Sequence, residues 1–401
     1  MENTNVLISG AGVGGPALAW WLRRYGFGVT VVEKAPGPRP GGQAIDFKGE
    51  DQLSVLRRMG ILAEVRRRQT GGADVRIVDA DGRQITVLPG EFTGGDVEIR
   101  RGDLSEILYD ESVAAGCAYM FGDSITSLTD TADGVHVTFE RGAPRTFDLV
   151  VGADGIHSNV RRLAFGPERD FVKFLGYYYA LAELPPGGPD GDGDGTGLMY
   201  NEPGRMVSLG GPKAPAFFVF ASPELTYDRY DAEEMKRLVI DAYAGMGWRT
   251  PEILARVREA RDLHLDTISR VRTCRYAQGR VALLGDAVSG NTLGGFGTGI
   301  AVVGAYVLAG ELAMAGGDHH AAFGRYEELM SPYAKVARSG GNAGGFLAPA
   351  SRAGIWMRDQ LFRRSLLLKM MLKMTDMFAT NISLPDYPAP VDRGRRAAES
   401  R

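Results

Sequence analysis

Cysteine is scarce in this chain. Two residues, Cys117 and Cys274, stand far apart in 401, which leaves no disulfide framework and no cysteine-built metal site to expect. Histidine is scarce too: of five, only His319 and His320 adjoin, no HExxH pattern occurs, and no metal is expected. Positive charge has no surplus, with 46 Lys and Arg against 49 Asp and Glu and a net charge of −3. Nucleic acid is therefore not an expected partner, since nothing is in excess to neutralise its phosphates. No apolar run reaches the roughly 18 residues of a membrane span. The opening Met1-Glu2-Asn3-Thr4 is polar and leads into a strand, unlike a signal peptide. These absences together point to a cytoplasmic protein. What is plentiful is glycine, at 55 residues, about twice the usual share. Such a chain needs many tight turns or a close approach of backbone to something else. Its length and its 44% hydrophobic residues suit two or three domains with a sizeable core.

Periodicity gives a mixed α/β order. Asn5–Ser9 predicts a strand, Pro16–Tyr25 a helix ended by Gly26, and Val29–Val32 a second strand, which is one βαβ unit. Leu53–Arg68 and Leu104–Ala115 predict helices, and Asp74–Leu88 a hairpin around Asp81-Gly82. Val135–Phe139, Phe147–Val151 and Arg280–Leu284 predict strands, and residues 172–222 carry several more. Ala232–Met246, Pro251–Ala260 and Gly297–Ala315 predict helices, with mainly helix after Gly345 until about Ala379. The loop from Pro185 to Gly195 spaces Asp190, Asp192 and Asp194 like the start of an EF-hand. Its twelfth position would be Asn201 instead of a bidentate Glu, so a flexible loop is expected.

Three segments carry chemistry. The first is Gly10-Ala11-Gly12-Val13-Gly14-Gly15, between a strand and a helix. Gly10 permits the tight turn, Gly12 lets a pyrophosphate reach the backbone of Val13 and Gly14, and Gly15 lets the helix pack on the sheet. Glu33, followed by Lys34, ends the next strand, where a carboxylate suits the free hydroxyls of an adenosine ribose. This motif does not separate FAD from NAD. The second segment is a buried strand ending in Gly152-Ala153-Asp154-Gly155, with Arg161 in the helical stretch that follows. The third is a buried strand ending in Gly285-Asp286, then a glycine-rich loop, Gly294-Gly295-Phe296-Gly297-Thr298-Gly299, that opens a long helix. Free amides at such a helix start suit the electron-rich pyrimidine end of a reduced flavin. Asp286 is placed to accept from a ribityl hydroxyl.

In this order the three segments resemble the class A flavin monooxygenases of the p-hydroxybenzoate hydroxylase fold, over about residues 5–345. The segment Glu98-Ile99-Arg100-Arg101-Gly102-Asp103-Leu104 is similar to one whose arginine, here Arg101, touches FAD in that family. Gly41-Gly42-Gln43-Ala44-Ile45-Asp46 with Lys48-Gly49, the stretch Val303–Leu312, and Ile382–Tyr387 resemble the tetracycline-inactivating branch and its actinobacterial, polyketide-tailoring relatives.

The resemblance implies a Rossmann-type FAD-binding domain from 1–73, 98–170 and 268–345. It implies a β-rich substrate domain from 74–97 and 171–267, and a C-terminal helical segment from 346–401. It implies non-covalent FAD bound by Gly10, Gly12, Val13, Gly14, Gly15, Glu33, Lys34, Arg101, Asp154, Asp286, Gly297, Thr298 and Gly299. NADPH or NADH would be the co-substrate. The substrate would be a bulky aromatic or polycyclic molecule, oxidised through a flavin hydroperoxide, as in antibiotic biosynthesis. Gln43, Tyr177 and Tyr179 are candidate pocket residues, with packing the expected fate of two of the three tyrosines 177–179.

One departure stands out: the family's proline beside the flavin is missing from Val288-Ser289-Gly290-Asn291-Thr292-Leu293. A freed amide and a looser loop are the expectation. Hydroxylation, Baeyer–Villiger insertion and a non-redox role such as cyclisation all remain open, and no catalytic base is identifiable. The basic, apolar stretch from Trp356 to Met374 fits either an interfacial membrane helix or, as expected here, a helix packed across the domains.

Overall fold

The computed structural model describes residues 3–38, 41–72, 74–90, 95–185, 196–211, 214–294, 297–339, 341–364 and 384–388. The EF-hand-like stretch 186–195, Gly295 and Phe296, and 365–383 lie outside the described residues.

Five short apolar runs, too β-branched and too short for helices, assemble with one edge strand into a six-stranded sheet. Its spatial order is Ala277–Gln278, Val281–Leu283, Leu149–Gly152, Asn5–Ser9, Gly28–Glu33, Ala118–Phe121. All neighbours are parallel except the edge Ala277–Gln278. Parallel strands covered on both faces read as unbroken hydrophobic runs, and Val6, Leu7, Ile8, Val150 and Val151 are buried accordingly. Helices Gly14–Arg24 and Gly297–Met314 pack on each other over this sheet. The latter is long and apolar enough to cross a membrane by composition. However, Ile300 to Gly310 is buried without a break, which is what a core helix apolar on all sides looks like.

A seven-stranded sheet lies alongside. Its order is Leu263–Val271, Val172–Ala182, Ala214–Ala221, Arg205–Gly211, Gly197–Glu202, Val75–Val78, Gln84–Leu88. Strand side chains alternate, and the two faces have different uses. Tyr178, Phe218 and Phe220 pack behind the sheet with Met235 and Val239 of helix Ala232–Ala242, with Tyr243 that caps it, and with Ile253 and Val257 of Thr250–Glu259. Met199, Met206, Val219, Phe217, Tyr177 and Tyr179 line the opposite face, against Leu293, Phe346 and Phe362.

The structure revises several sequence expectations. The helix expected over 53–68 is two, Glu50–Met59 and Leu62–Arg67, because Gly60 takes a left-handed φ of 80° and caps the first. The strand expected over 147–151 is divided between Arg145–Phe147 in a three-stranded side sheet and Leu149–Gly152 in the parallel sheet. Asp148 makes the break, its carboxylate accepting from Asn5 N at 2.8 Å. Strand Leu263–Val271 pairs with Val172–Ala182 along its length, so a domain boundary at 267/268 would fall inside it. Helix Arg352–Arg363 is anchored on the seven-stranded sheet by buried Arg358, which donates to Leu347 O and Asn201 Oδ1, each at 2.9 Å.

Candidate active site

The strand order places the three chemistry-bearing turns in a row. Each is stitched to the next just past the strand ends: Leu284 N donates to Gly152 O, Ala153 N to Ser9 O and Gly10 N to Val32 O, all at 2.8 Å. Carboxyl ends of parallel strands are where open α/β sheets bind ligands. At Gly10, φ is 106° and a side-chain carbon would meet Ala153 O at 2.6 Å. At Gly15 it would meet Gly10 O at 1.9 Å. These two glycines are needed by the fold. Gly12 differs: a carbon there would meet only the Arg101 guanidinium, at 3.5 Å, so its side of the loop is open to a ligand. Gly14 backs onto Leu284 and Ala301, which seats the helix that opens at Val13. Glu33 is not a solvated strand end. It is half-buried and accepts from Ala11 N and Ala35 N, each at 2.8 Å, which ties the glycine loop to the strand. Lys34 beside it is exposed, with Nζ 4.0 Å from the ring centre of Tyr230.

The two acidic turns do different work. Asp154 accepts from Ser9 Oγ, Ser158 Oγ, Asn159 N and Val160 N. Four protein donors nearly saturate a carboxylate, so this side chain braces the turn and the start of helix Asn159–Ala164. The Asp286 carboxylate is half-buried and accepts no hydrogen bond from any described residue. Burial pushes it up, against the lowering charge of Arg101. A partly buried carboxylate without a protein donor is costly, and a ligand hydroxyl would relieve it. Gly297 is required because a side-chain carbon there would meet Asp286 Oδ1 at 2.8 Å. Gly299 is required because Gln52, held by Lys48 N at 3.0 Å, fills the space beside it. Thr298 between them is half-buried at the start of helix Gly297–Met314. Arg101 opens helix Arg101–Ala114, its amide donating to Gln43 O at 3.1 Å and Gly102 N to Gly41 O at 2.8 Å. Gln43 thus sits beside the arginine, on the rim.

Glycine loop, buried acceptor, arginine and helix N-terminus converge, as a flavin dinucleotide needs. Residues 3–336 match the family described as FAD binding domain. The chain belongs to that family. It is 42% identical over 337 residues to an uncharacterized protein of Mycobacterium tuberculosis (strain ATCC 25618 / H37Rv), covering 80% of this chain and 88% of that one. A flavin-dependent monooxygenase of Legionella longbeachae serogroup 1 (strain NSW150) is 34% identical over 408 residues, covering 96% and 99%. The crystal structure of tetracycline destructase Tet(51) superimposes with a TM-score of 0.80 at 31% identity, covering 95% of this chain and 99% of that one. This chain is a flavin-dependent monooxygenase, and its fold is that of the class A enzymes.

The monooxygenase departs from the expectation at its proline-less loop, which is not slack. Thr292 N, the donor a proline would lack, gives its hydrogen to Ser269 O at 3.0 Å. Thr292 Oγ1 accepts from Ser269 N at 3.2 Å, and Val271 N donates to Gly290 O at 2.7 Å. Leu293 is held at φ 59°, a conformation β-carbon sterics disfavour. The missing proline is thus replaced by a clamp to strand Leu263–Val271.

Arg161 and the three tyrosines were legible in the sequence as candidates, but their contacts, and the part His157 plays, were not. Arg161 is fully buried and donates to Ala287 O at 2.9 Å and Ile156 O at 2.5 Å, joining the second and third turns. His157 bridges Glu168 and Asp266, with 2.9 Å on each side. Burial disfavours its charge, but the hydrogen bonds it donates to the two carboxylates outweigh that and raise its pKa. Tyr177 packs on Gly344, whose side-chain carbon would lie 2.4 Å from the ring. Tyr178 is fully buried, its hydroxyl accepting from Leu225 N at 2.7 Å. Tyr179 is half-buried, its hydroxyl 3.2 Å from His264 Nε2 and within electrostatic reach of Asp266, Arg101 and Asp286. Cys117 is buried and Cys274 exposed, both unpaired.

Proposed function

We propose that this monooxygenase uses NADPH or NADH and dioxygen to hydroxylate a bulky aromatic or polycyclic, polyketide-like molecule. The observation that carries this reading is the half-buried aromatic row of Tyr177, Tyr179 and Phe217 on this sheet face, with the Tyr179 hydroxyl within electrostatic reach of Arg101 and Asp286. A flat aromatic substrate has apolar wall on one side and the dinucleotide turns on the other. The destructases Tet(51) and Tet(55), at 31% and 34% identity, carry tetracycline in their names, which supports a ligand of that class.

In this reading the amides of Gly12, Val13 and Gly14 take the pyrophosphate and Glu33 the adenosine ribose, beside Lys34. Asp286 accepts from a ribityl hydroxyl. The start of helix Gly297–Met314, with Gly297, Thr298 and Gly299, faces the pyrimidine edge, and Arg101 closes over the loop. Asp154 supports the turn from behind. Bound FAD would supply hydride acceptance from nicotinamide and reductive use of dioxygen. The protein's share is to position the substrate ring and keep water from it. The clamp of residues 290–292 weakens the motive for a non-redox reading, which rested on a slack loop. FAD-loaded protein mixed with NADPH and a panel of polycyclic phenols tests the proposal. Oxygen uptake stimulated by a phenol, with a hydroxylated product, is expected; uptake unaffected by any aromatic compound would overturn it.

A further inference from the structure

The first turn of helix Gly297–Met314 is gripped from two sides. A side-chain carbon at Gly297 would meet Asp286 Oδ1 at 2.8 Å. At Gly299 it would run into the carboxamide of Gln52, overlapping Oε1 and Cδ and lying 2.8 Å from Nε2. Residues two apart on a helix project about 200° apart, so the acid and the amide press on opposite sides of one turn. Asp286 belongs to the third of the chemistry-bearing turns. Gln52 comes from helix Glu50–Met59 and is buried.

The Gln52 side of this grip is fixed. Its Oε1 accepts from Lys48 N at 3.0 Å. The segment it holds is fastened again from elsewhere: Gly49 N donates to Asp96 Oδ2 at 2.8 Å, and Asp96 N to Phe47 O at 2.9 Å. That segment continues strand Ala44–Phe47, and Gln43 before it takes the amide of Arg101. One strip, Gln43–Gly49, thus runs from the arginine to the helix start. A glutamine in the first turn of a helix that reaches back to a preceding amide is a form of end-capping. Capping accounts for the bond to Lys48 N. It does not account for a buried carboxamide that leaves no room for a β-carbon on a second helix.

We propose that Gln52 is a positioning residue for the pyrimidine end of the flavin. By pinning the strip Gln43–Gly49 to the first turn of Gly297–Met314, it sets where the free amides of Gly297, Thr298 and Gly299 point. This rests on the reading in which that helix start faces the pyrimidine edge. Helix-start amides favour negative charge, and the effect falls off within the first turn. A turn displaced from the ring therefore stabilises a reduced flavin less. Gln52 acts through the helix and not by contact with the ring.

The test takes FAD-loaded protein, reads the flavin reduction potential by equilibration with reference dyes, and reads Tm by thermal melting. Gln52→Ala should cost about tenfold in preference for the reduced flavin, which is about 30 mV in a two-electron potential. Gln52→Glu keeps an acceptor for Lys48 N, so its Tm should stay near wild type, yet its charge against the turn should also lower the potential. Gly299→Ala should lower the potential by displacing the carboxamide. Adding Gln52→Ala to that variant should cost nothing further, since both act on one contact. A wild-type potential in both Gln52 variants, with a lower Tm in Gln52→Ala, would leave Gln52 a helix cap and overturn the proposal. So would losses that simply add in the double variant. Failure of the flavin reading is seen separately, as FAD affinity that Asp286→Ala leaves unchanged.

Discussion

Asp286 is the residue on which cofactor retention turns. Its carboxyl is pushed up by burial, with Arg101 opposing, and accepts from no described donor. Asp286→Ala should weaken FAD by about 10- to 100-fold, the loss of a hydrogen bond to a charged acceptor, measured by flavin fluorescence quenching. The pH sign follows. In the unfolded chain this carboxyl ionises at its ordinary value, while in the folded apoprotein it ionises higher. Its contribution to apoprotein stability is therefore full below the ordinary carboxylate pKa and is lost as pH rises through the raised one. A donating hydroxyl favours the anion, so FAD affinity should climb over that same interval, and Asp286→Asn should flatten the climb. Glu33 gives a second expectation. Because its carboxylate already holds Ala11 N and Ala35 N, Glu33→Ala removes both a ribose acceptor and a brace. FAD affinity should drop by about 1–2 kcal/mol; unchanged affinity would show that the ribose lies elsewhere.

At the scale of elements, the loop 288–293 inverts an intuition drawn from relatives. Putting back a proline, as Thr292→Pro, removes the donor to Ser269 O and restricts Asn291 as well. It should cost about 2 kcal/mol or more of stability, seen as a lower Tm, whereas a slack loop would be stiffened and stabilised. The bridge of His157 between Glu168 and Asp266 should shape stability with pH. Both carboxylates are held low, Glu168 first by its His157 hydrogen bond and Asp266 against its burial, so their contribution is lost as pH falls through those lowered values. The raised His157 contributes below its ordinary pKa and loses that as pH rises through the raised one. His157→Asn should remove the alkaline limb of a Tm-against-pH curve. None of these contacts was legible in the sequence. His157 and Asp266 are 109 positions apart, Tyr179 and His264 85, and Arg161 and Ala287 126, and only strand order brings them together. The glycines and Asp286 were legible because their requirement is local, a turn at a strand end against a ligand.

Across the whole molecule, sequence periodicity located four of the five parallel strands of the six-stranded sheet, since a run buried on both faces has a composition of its own; it missed the half-exposed Ala118–Phe121 and the helix His319–Ser339. It merged Glu50–Met59 with Leu62–Arg67 because Gly60 reads as a tolerated helix glycine until its left-handed φ is seen. For Asp154 the residue pattern allowed a turn as readily as the cofactor contact the resemblance implies, because a strand-end acid looks the same in both; here its carboxylate takes four donors of its own chain. What joins the two sheets into one catalytic unit is strand Leu263–Val271, which bonds the flavin loop through Ser269 and the second turn through Asp266. The central claim is that these parts together insert one oxygen atom from dioxygen into an aromatic substrate. The most direct measurement supplies dioxygen labelled with oxygen-18 to FAD-loaded protein with NADPH and an accepted phenol, and weighs the product. A product heavier by one labelled atom is expected; a product carrying oxygen only from water, or formed equally well without dioxygen, would contradict it.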